Sequence, residues 1–360
     1  MNAYKLPFVS NLVSKNRIDK AWKTMIDHHQ NYASQTYQDA FWIINERRKL
    51  HIYPLNTFQA NLRTRIKNMG IENDTIVSQR IKRIVSITAK LQRFEHTQLS
   101  RMQDIWWIRA IVPDLKSITL LMDYYQHKSF KSYMLIRQKN YIEEPKADWY
   151  RSVHLIFQYT SSRYLPAQWV YFEFQIRTMI QHARATAVET VGTFLWQALK
   201  ANQWSQEWRD YFRLVSAGFC FLEWTKIDPY FADKSHQDIV KEIKKKTHQL
   251  KVTQIIKWFS VAAKEIKKAL QWAKKTGLLH LIILDTKLRH IQIKSFTAHE
   301  KEMAFDAYQL QEQDALFHPH RAVVLVSTNQ IANLEKAYPS FFWDNQLFLN
   351  YINKLTATWS

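Results

Sequence analysis

Four stretches of this chain place cations, carboxylates and aromatic rings at spacings suited to work on nucleotide phosphates. The first runs from Lys139 to His154 and holds Lys139, Lys146 and Arg151 beside Tyr150 and His154, with a turn at Pro145. Cations of this kind hold phosphates, and an aromatic ring offers a face to a base. The plain alternative is a basic surface loop leading into a strand. The second stretch is Arg80-x-Lys82-x-x-x-Ser86-x-x-x-Lys90-x-x-Arg93. It reads as a short strand, then a helix with Ser86 as N-cap. Arg80 and Lys82 share one side of the strand, and Lys90 and Arg93 share one face of the helix. Four cations then surround a helix N-terminus, an arrangement suited to a triphosphate, although basic helices are more often simply solvated.

The third stretch, Asp104 to Val112, is an apolar strand with an acid at its leading end. The fourth, Trp169 to Arg177, alternates: Val170, Phe172, Phe174 and Ile176 point one way, and Tyr171, Glu173, Gln175 and Arg177 the other. A carboxylate, an amide and a guanidinium on one face of such a strand make a poor solvent face by chance. A helix over 178–199 adds His182 and Glu189, residue types that on a helix are more often structural than catalytic. On neighbouring strands, Asp104 and Glu173 could hold one Mg²⁺ on a nucleotide phosphate.

The elements that must position these residues follow from periodicity. Helical patterns cover Arg17–Tyr32, Tyr37–Leu50 and Thr57–Met69, with a break at 53–56 and Gly70 as the closing residue. From about 75 to 200 strands alternate with helices, which predicts an α/β core. Residues 201–275 read as a basic helical extension. Residues 276–360 read as a small α+β module: a hairpin at 278–294, a helix at 299–313, a strand at 322–326 and terminal helices. That module carries no catalytic constellation, so packing or dimerisation is its default role, with RNA or partner-protein binding as the alternative.

Composition sets the outer bounds. The 360 residues carry 51 Lys+Arg against 31 Asp+Glu, a net +20, which favours polyanionic partners. A single cysteine, Cys220, excludes a disulfide framework and a cysteine-based zinc site, and suits a reducing, cytoplasmic setting. The sequence shows no signal peptide and no apolar run near the ~20 residues of a membrane helix.

Taken together, the four stretches resemble the synthetase domain of the RelA/SpoT family over roughly 75–200, and the flanks resemble its stand-alone members, the alarmone synthetases. No His-Asp motif of a hydrolase half is present. The resemblance implies a nucleotidyltransferase-like mixed sheet flanked by helices. It implies transfer of the β,γ-pyrophosphate of ATP to the 3′-hydroxyl of GDP or GTP. It assigns Arg80, Lys82, Ser86, Lys90 and Arg93 to ATP. It assigns Asp104 and Glu173 to Mg²⁺, with Glu173 also taking the hydroxyl proton. Lys139, Lys146 and Arg151 would hold acceptor phosphates, Tyr150 would stack on guanine, and His154, Gln175 and Arg177 would complete the wall. Further candidate partners are tRNA, an antitoxin protein and a second copy of the chain. A toxin-type relative acting on the tRNA 3′ end or on adenosine nucleotides, and a degenerate nucleotide- or RNA-binding module, are the competing readings.

The chain departs from the family in one systematic way. The family has glycine where this chain has Trp107 and Trp149, and also Trp22, Trp169 and Trp196; Arg47 and Arg184 fall where stand-alone members carry tryptophan. Glycine occurs four times and tryptophan fourteen, where glycine is ordinarily roughly 7% of residues. A gene that uses UGA for glycine and some CGN codons for tryptophan would give this pattern if UGA were read as tryptophan and CGN as arginine. Taken literally, an indole at 149 is expected to crowd the acceptor pocket.

Overall fold

The computed structural model describes residues 14–28, 31–93, 98–146, 148–198, 206–256, 279–285, 288, 290–318, 320–327 and 345–358. Three helices come first: α1 (Lys15–Asp27), α2 (Gln35–Lys49) and α3 (Ile52–Asn68). The hydroxyls of Ser14 and Ser34 cap the first two, accepting from the amides of Arg17 and Tyr37 at 3.3 Å. Ile18, Ala21, Trp22 and Met25 form the buried stripe of α1. The break expected at 53–56 is instead the start of α3. Pro54 sits in its first turn, where a missing N–H removes no helix bond. Gly70, at φ 69°, follows the helix in the left-handed conformation that closes helices.

The middle of the chain alternates as expected: β1 (Ile76–Ile81), α4 (Ile84–Arg93), β2 (Trp106–Val112), α5 (Leu115–His127), β3 (Tyr133–Asn140), β4 (Val153–Tyr159), β5 (Tyr171–Thr178) and α6 (Met179–Ala198). Then come α7 (Gln206–Glu223), α8 (His236–Gln249), β6 (Leu279–Asp285), β7 (His290–Phe296), α9 (Lys301–Phe317), β8 (Arg321–Ser327) and α10 (Gln346–Thr358). All eight strands form one mixed sheet in the order β3-β4-β5-β2-β1-β8-β6-β7. Only β2 and β5 run parallel; the other neighbours are antiparallel.

The C-terminal strands differ from the sequence reading. They form no sheet of their own but continue the central one, through Gln79 opposite Ser327 and Arg80 opposite Val326. This supplies hydrogen-bond partners along an edge of β1 that would otherwise be open. The terminal helix α10 leaves those strands and packs with α6, α7 and α8 in a second core around Tyr211, Phe212, Ile243 and Phe348. Gly218 makes this packing possible: a Cβ there would lie 2.6 Å from Ile243 and Leu355.

The sheet has two unlike faces. Phe172, Phe174 and Ile176 are fully buried on one of them, as their alternation predicts. There Phe58 of α3 lies 5.1, 4.9 and 5.4 Å, centroid to centroid, from Phe157, Phe172 and Phe174. Edge-on aromatic packing of this kind adds roughly 0.5–1.5 kcal/mol per pair beyond the area buried. The opposite face is divided: an apolar patch of Ile282, Leu284, Ile291, Val324 and Val326 at the C-terminal end, and polar residues at the other. Among the described residues, no helix is long and apolar enough to cross a membrane.

Candidate active site

Alternate residues of a strand share a face, so the sheet register places the polar side chains in rows. One row crosses β3, β4, β5, β2 and β1 as Lys139, His154, Gln175, Arg109 and Ser78. The next crosses the same strands as Arg137, Ile156, Glu173, Trp107 and Arg80. Asp104 stands two residues before β2, beside this second row. Glu173 lies on β5 and Asp104 in the segment just before the neighbouring β2, not on the strand itself as expected, and both line one cleft of about 380 Å³ together with Lys90, Lys139 and His154.

Asp104 is held by two cations. Its Oδ2 accepts from Lys82 Nζ at 2.7 Å and its Oδ1 from Lys90 Nζ at 2.8 Å. Burial works against its charge, but Lys82 and Lys90 outweigh that and keep its pKa below the usual carboxylate value. Glu173 has a different surround. Its Oε2 is 3.2 Å from His154 Nδ1, and its Oε1 accepts from the Gln175 amide. Gln175 in turn accepts from Arg109 Nε at 3.1 Å. Burial raises the Glu173 pKa, His154 and Gln175 lower it, and the net shift is downward.

His154 links the acid to the aromatic loop. Its Nε2 is 3.1 Å from the Tyr150 hydroxyl, giving a chain Tyr150–His154–Glu173. Burial lowers the His154 pKa, but Tyr150 and Glu173 raise it further. Burial raises that of Tyr150, yet His154, Arg177 and Arg109 bring it down to about 7. Lys146 sits over two rings, 4.5 Å from the Tyr141 centroid and 4.8 Å from that of Tyr150.

The remaining expected site residues fall in three groups. Arg80 reaches toward Glu189 of α6 at 3.9 Å, and Arg177 Nη2 donates to His182 Nδ1 at 2.5 Å. Burial lowers the Arg177 pKa to about 9, and Arg109 adds to the shift. Arg151 does not line the cleft. It donates to the carbonyls of Ile142 (3.0 Å) and Lys226 (2.5 Å), tying the loop to the turn after α7. Ser86 is not an N-cap, because α4 begins at Ile84 and places Ser86 in its first turn. The amide of Ile84 is met instead by Glu312 Oε1 at 2.8 Å. The side chain of Arg93 lies outside the described residues.

Arg101, Arg137 and Tyr141 also line the cleft, and the sequence reading did not place them in the site. The signal for Arg137 lay in register: it precedes Lys139 by two residues on β3 and so shares its face.

Two carboxylates fit a Mg²⁺ site. This ion takes oxygen donors and is commonly held by one or two carboxylates plus substrate phosphates and water. Among the described residues, no group of three or more His, Cys, Asp or Glu forms a closed metal cage.

Trp149 is not among the residues that line the cleft. Its ring lies 5.9 Å from the Arg151 guanidinium and 5.6 Å from that of Arg213 on α7. The strain is in its backbone, at φ 58°. Trp107 lies on β2, 9% exposed, with the Arg109 guanidinium 4.1 Å from its ring. Arg184 is buried and donates to the carbonyls of Phe212 and Asp148, and burial lowers its pKa to about 10. Trp22 is a core residue of α1, and the side chain of Trp196 lies outside the described residues.

Solved structures that align with part of this chain include small alarmone synthetase 1 from Bacillus subtilis bound to its product pppGpp. It is 23% identical, covering 49% of this chain and 89% of that one, with a TM-score of 0.41. A GTP pyrophosphokinase family protein from Streptococcus pneumoniae is 22% identical, covering 52% and 92%, with a TM-score of 0.40. Small alarmone synthetase 2 from Bacillus subtilis is 20% identical, covering 52% and 95%, with a TM-score of 0.41. No curated protein sequence matches the chain. Residues 79–191 match the region found in RelA/SpoT proteins, a span that holds all four stretches and the cleft between them. That stretch of the chain is similar to the region shared by RelA and SpoT proteins.

Proposed function

We propose that the protein is a Mg²⁺-dependent pyrophosphokinase that moves the β,γ-pyrophosphate of ATP to the 3′-hydroxyl of GDP or GTP. The observation that carries this reading is the single cleft in which Asp104 and Glu173 meet Lys90, Lys139 and His154. In the reaction the 3′-oxygen bonds to the β-phosphorus, the bond from that phosphorus to the oxygen bridging to the α-phosphate breaks, and AMP leaves with that oxygen. The hydroxyl proton passes to Glu173. Such chemistry asks for in-line positioning and cationic stabilisation more than covalent work.

Each side chain then has a task its geometry suits. Glu173, ionised and aligned by His154 and Gln175, accepts the proton. Lys82 and Lys90, which meet at Asp104, would hold the ATP phosphates beside it. Arg80 reaches the same phosphates from β1. Lys139 and Arg137 face the acceptor phosphates from β3. Tyr150 and Tyr141 offer rings to the acceptor base, with Lys146 between them. Gln175 and Arg177 fix the wall behind Glu173, and Arg151 acts by anchoring the loop. Asp104 and Glu173 would hold Mg²⁺, which when bound neutralises phosphate charge.

The test is transfer from ATP labelled on its γ-phosphate, with Mg²⁺ and, separately, GDP, GTP, ATP or deacylated tRNA. Label on GDP or GTP that disappears with Glu173→Gln is the expected result. Label only on tRNA would move the protein to a toxin-type activity. No transfer to any acceptor would refute the enzyme reading.

A further inference from the structure

We infer that Glu312, on helix α9 in the C-terminal part of the chain, is a positioning residue for the ATP side of the cleft. The inference rests on the ATP role proposed for residues 80–93. Glu312 is 3% exposed, and its carboxylate meets that segment directly and through Arg48. Its Oε1 accepts from the amide of Ile84, the first residue of α4, at 2.8 Å. It also accepts from the Tyr308 hydroxyl at 2.6 Å. Its Oε2 pairs with Arg48 Nη1 at 2.6 Å. Arg48 Nη2 donates to the carbonyl of Lys82 at 2.8 Å. One buried ion pair therefore holds both ends of the turn between β1 and α4.

That turn sets where the cations go. Lys82 leaves the end of β1, and Lys90 projects from α4; both ammonium groups converge on Asp104. A carboxylate at the first turn of a helix meets an unpaired N–H and opposes the positive end of the helix dipole. Such a cap normally comes from the residue just before the helix. Here it comes from a residue 228 positions away. The C-terminal segment thus supplies a local part of the ATP side while contributing nothing to the described lining of the cleft.

Glu312→Gln, which keeps the shape and removes the charge, should raise KM for ATP about tenfold and leave KM for GDP or GTP within twofold. Glu312→Asp should recover part of the loss. Binding of a non-hydrolysable ATP analogue should weaken in parallel. If Glu312→Gln does not fold, the paired change Arg48→Met with Glu312→Leu removes both buried charges together. A folded variant of either kind with unchanged affinity for the analogue would overturn the inference. Failure of the unaltered protein to bind the analogue would instead refute the ATP role of 80–93, and this inference with it.

A second inference rests on backbone conformation. We propose that glycine stands at 149, 169 and 224 in the protein as its cell makes it. Among the described residues, the non-glycine positions with φ above zero are Trp149 (58°), Trp169 (72°), Trp224 (54°) and Lys251 (51°). A bulky side chain is a poor occupant of that region and glycine the natural one. At Trp224 the setting is specific. The amide of Thr225 bonds to the carbonyl of Cys220 at 3.1 Å, closing α7 with Trp224 at the position glycine usually fills. Two of the three side chains also have little packing to lose, Trp169 and Trp224 being 51% and 84% exposed. Peptide mass spectrometry of the protein from its native cell, read beside the gene, decides the matter. Glycine at all three positions from UGA codons, with tryptophan at 106 and 208 from UGG, is the expected result. Tryptophan at any of the three would overturn the proposal.

Discussion

The two halves of the unlike face of the sheet carry different chemistry on the same backbone. From β3 to β1 it presents Lys139, His154, Gln175, Arg109, Glu173 and Arg80. From β8 to β7 it presents Ile282, Leu284, Ile291, Val324 and Val326. Trp107 stands at the join, in the apolar cluster yet against Arg109. One half leaves a cleft that polar groups line, and the other is closed by side chains. The lesson is that a strand's alternation decides function only through what covers each face.

Substitutions in the two halves should separate activity from stability. Glu173→Gln should cut transfer by about 100- to 10,000-fold, the span typical of lost general base catalysis, while costing less stability than a cavity in the apolar half. Ile282→Ala, at a fully buried position of the apolar half, should cost about 2–5 kcal/mol of stability. Turnover per folded molecule should stay unchanged. A stability loss from Glu173→Gln as large as that from Ile282→Ala would break the contrast.

The pH dependence sharpens it. Asp104 and Glu173 both have pKa values below the usual carboxylate value. Their contribution to stability is present above the unfolded-state values and is lost as pH falls through the lowered folded values. The acid limb of kcat/KM should accordingly fall below the ordinary carboxylate range, and Gln175→Ala, which removes one hydrogen bond to Glu173, should shift it upward. On the alkaline side, ultraviolet difference spectra should show one tyrosine ionising near pH 7, absent in Tyr150→Phe. The smallest effect expected is Trp224→Gly, which should stabilise the protein by about 1 kcal/mol through relief of left-handed strain, measured by denaturant unfolding.

Much of the cleft was legible because it depends on local patterns. Phe172, Phe174 and Ile176 alternate with Glu173, Gln175 and Arg177, and a two-residue period needs no knowledge of the rest of the chain. The pairing of Asp104 with Glu173 followed from two apolar strands carrying acids. What was hidden depends on contacts distant in sequence. Ser86 looked like a cap because caps are usually local, whereas the capping oxygen belongs to Glu312. Arg151 looked like a phosphate ligand because of its neighbours, but carbonyls of residues 142 and 226 claim it. Nothing in the composition of β8 shows that it pairs with β1. The break at Pro54 and the start of a helix at Pro54 have the same local signature.

The pairing of β8 with β1 governs how the chain can be cut. A fragment ending at residue 200 would keep every side chain proposed to handle nucleotides. It would also bare the outer edge of β1 at Gln79 and Arg80, beside the cleft, and remove Glu312 from the turn that follows. Open strand edges recruit strands from other molecules. Such a fragment should therefore aggregate, and its failure to turn over would say nothing about the residues it retains.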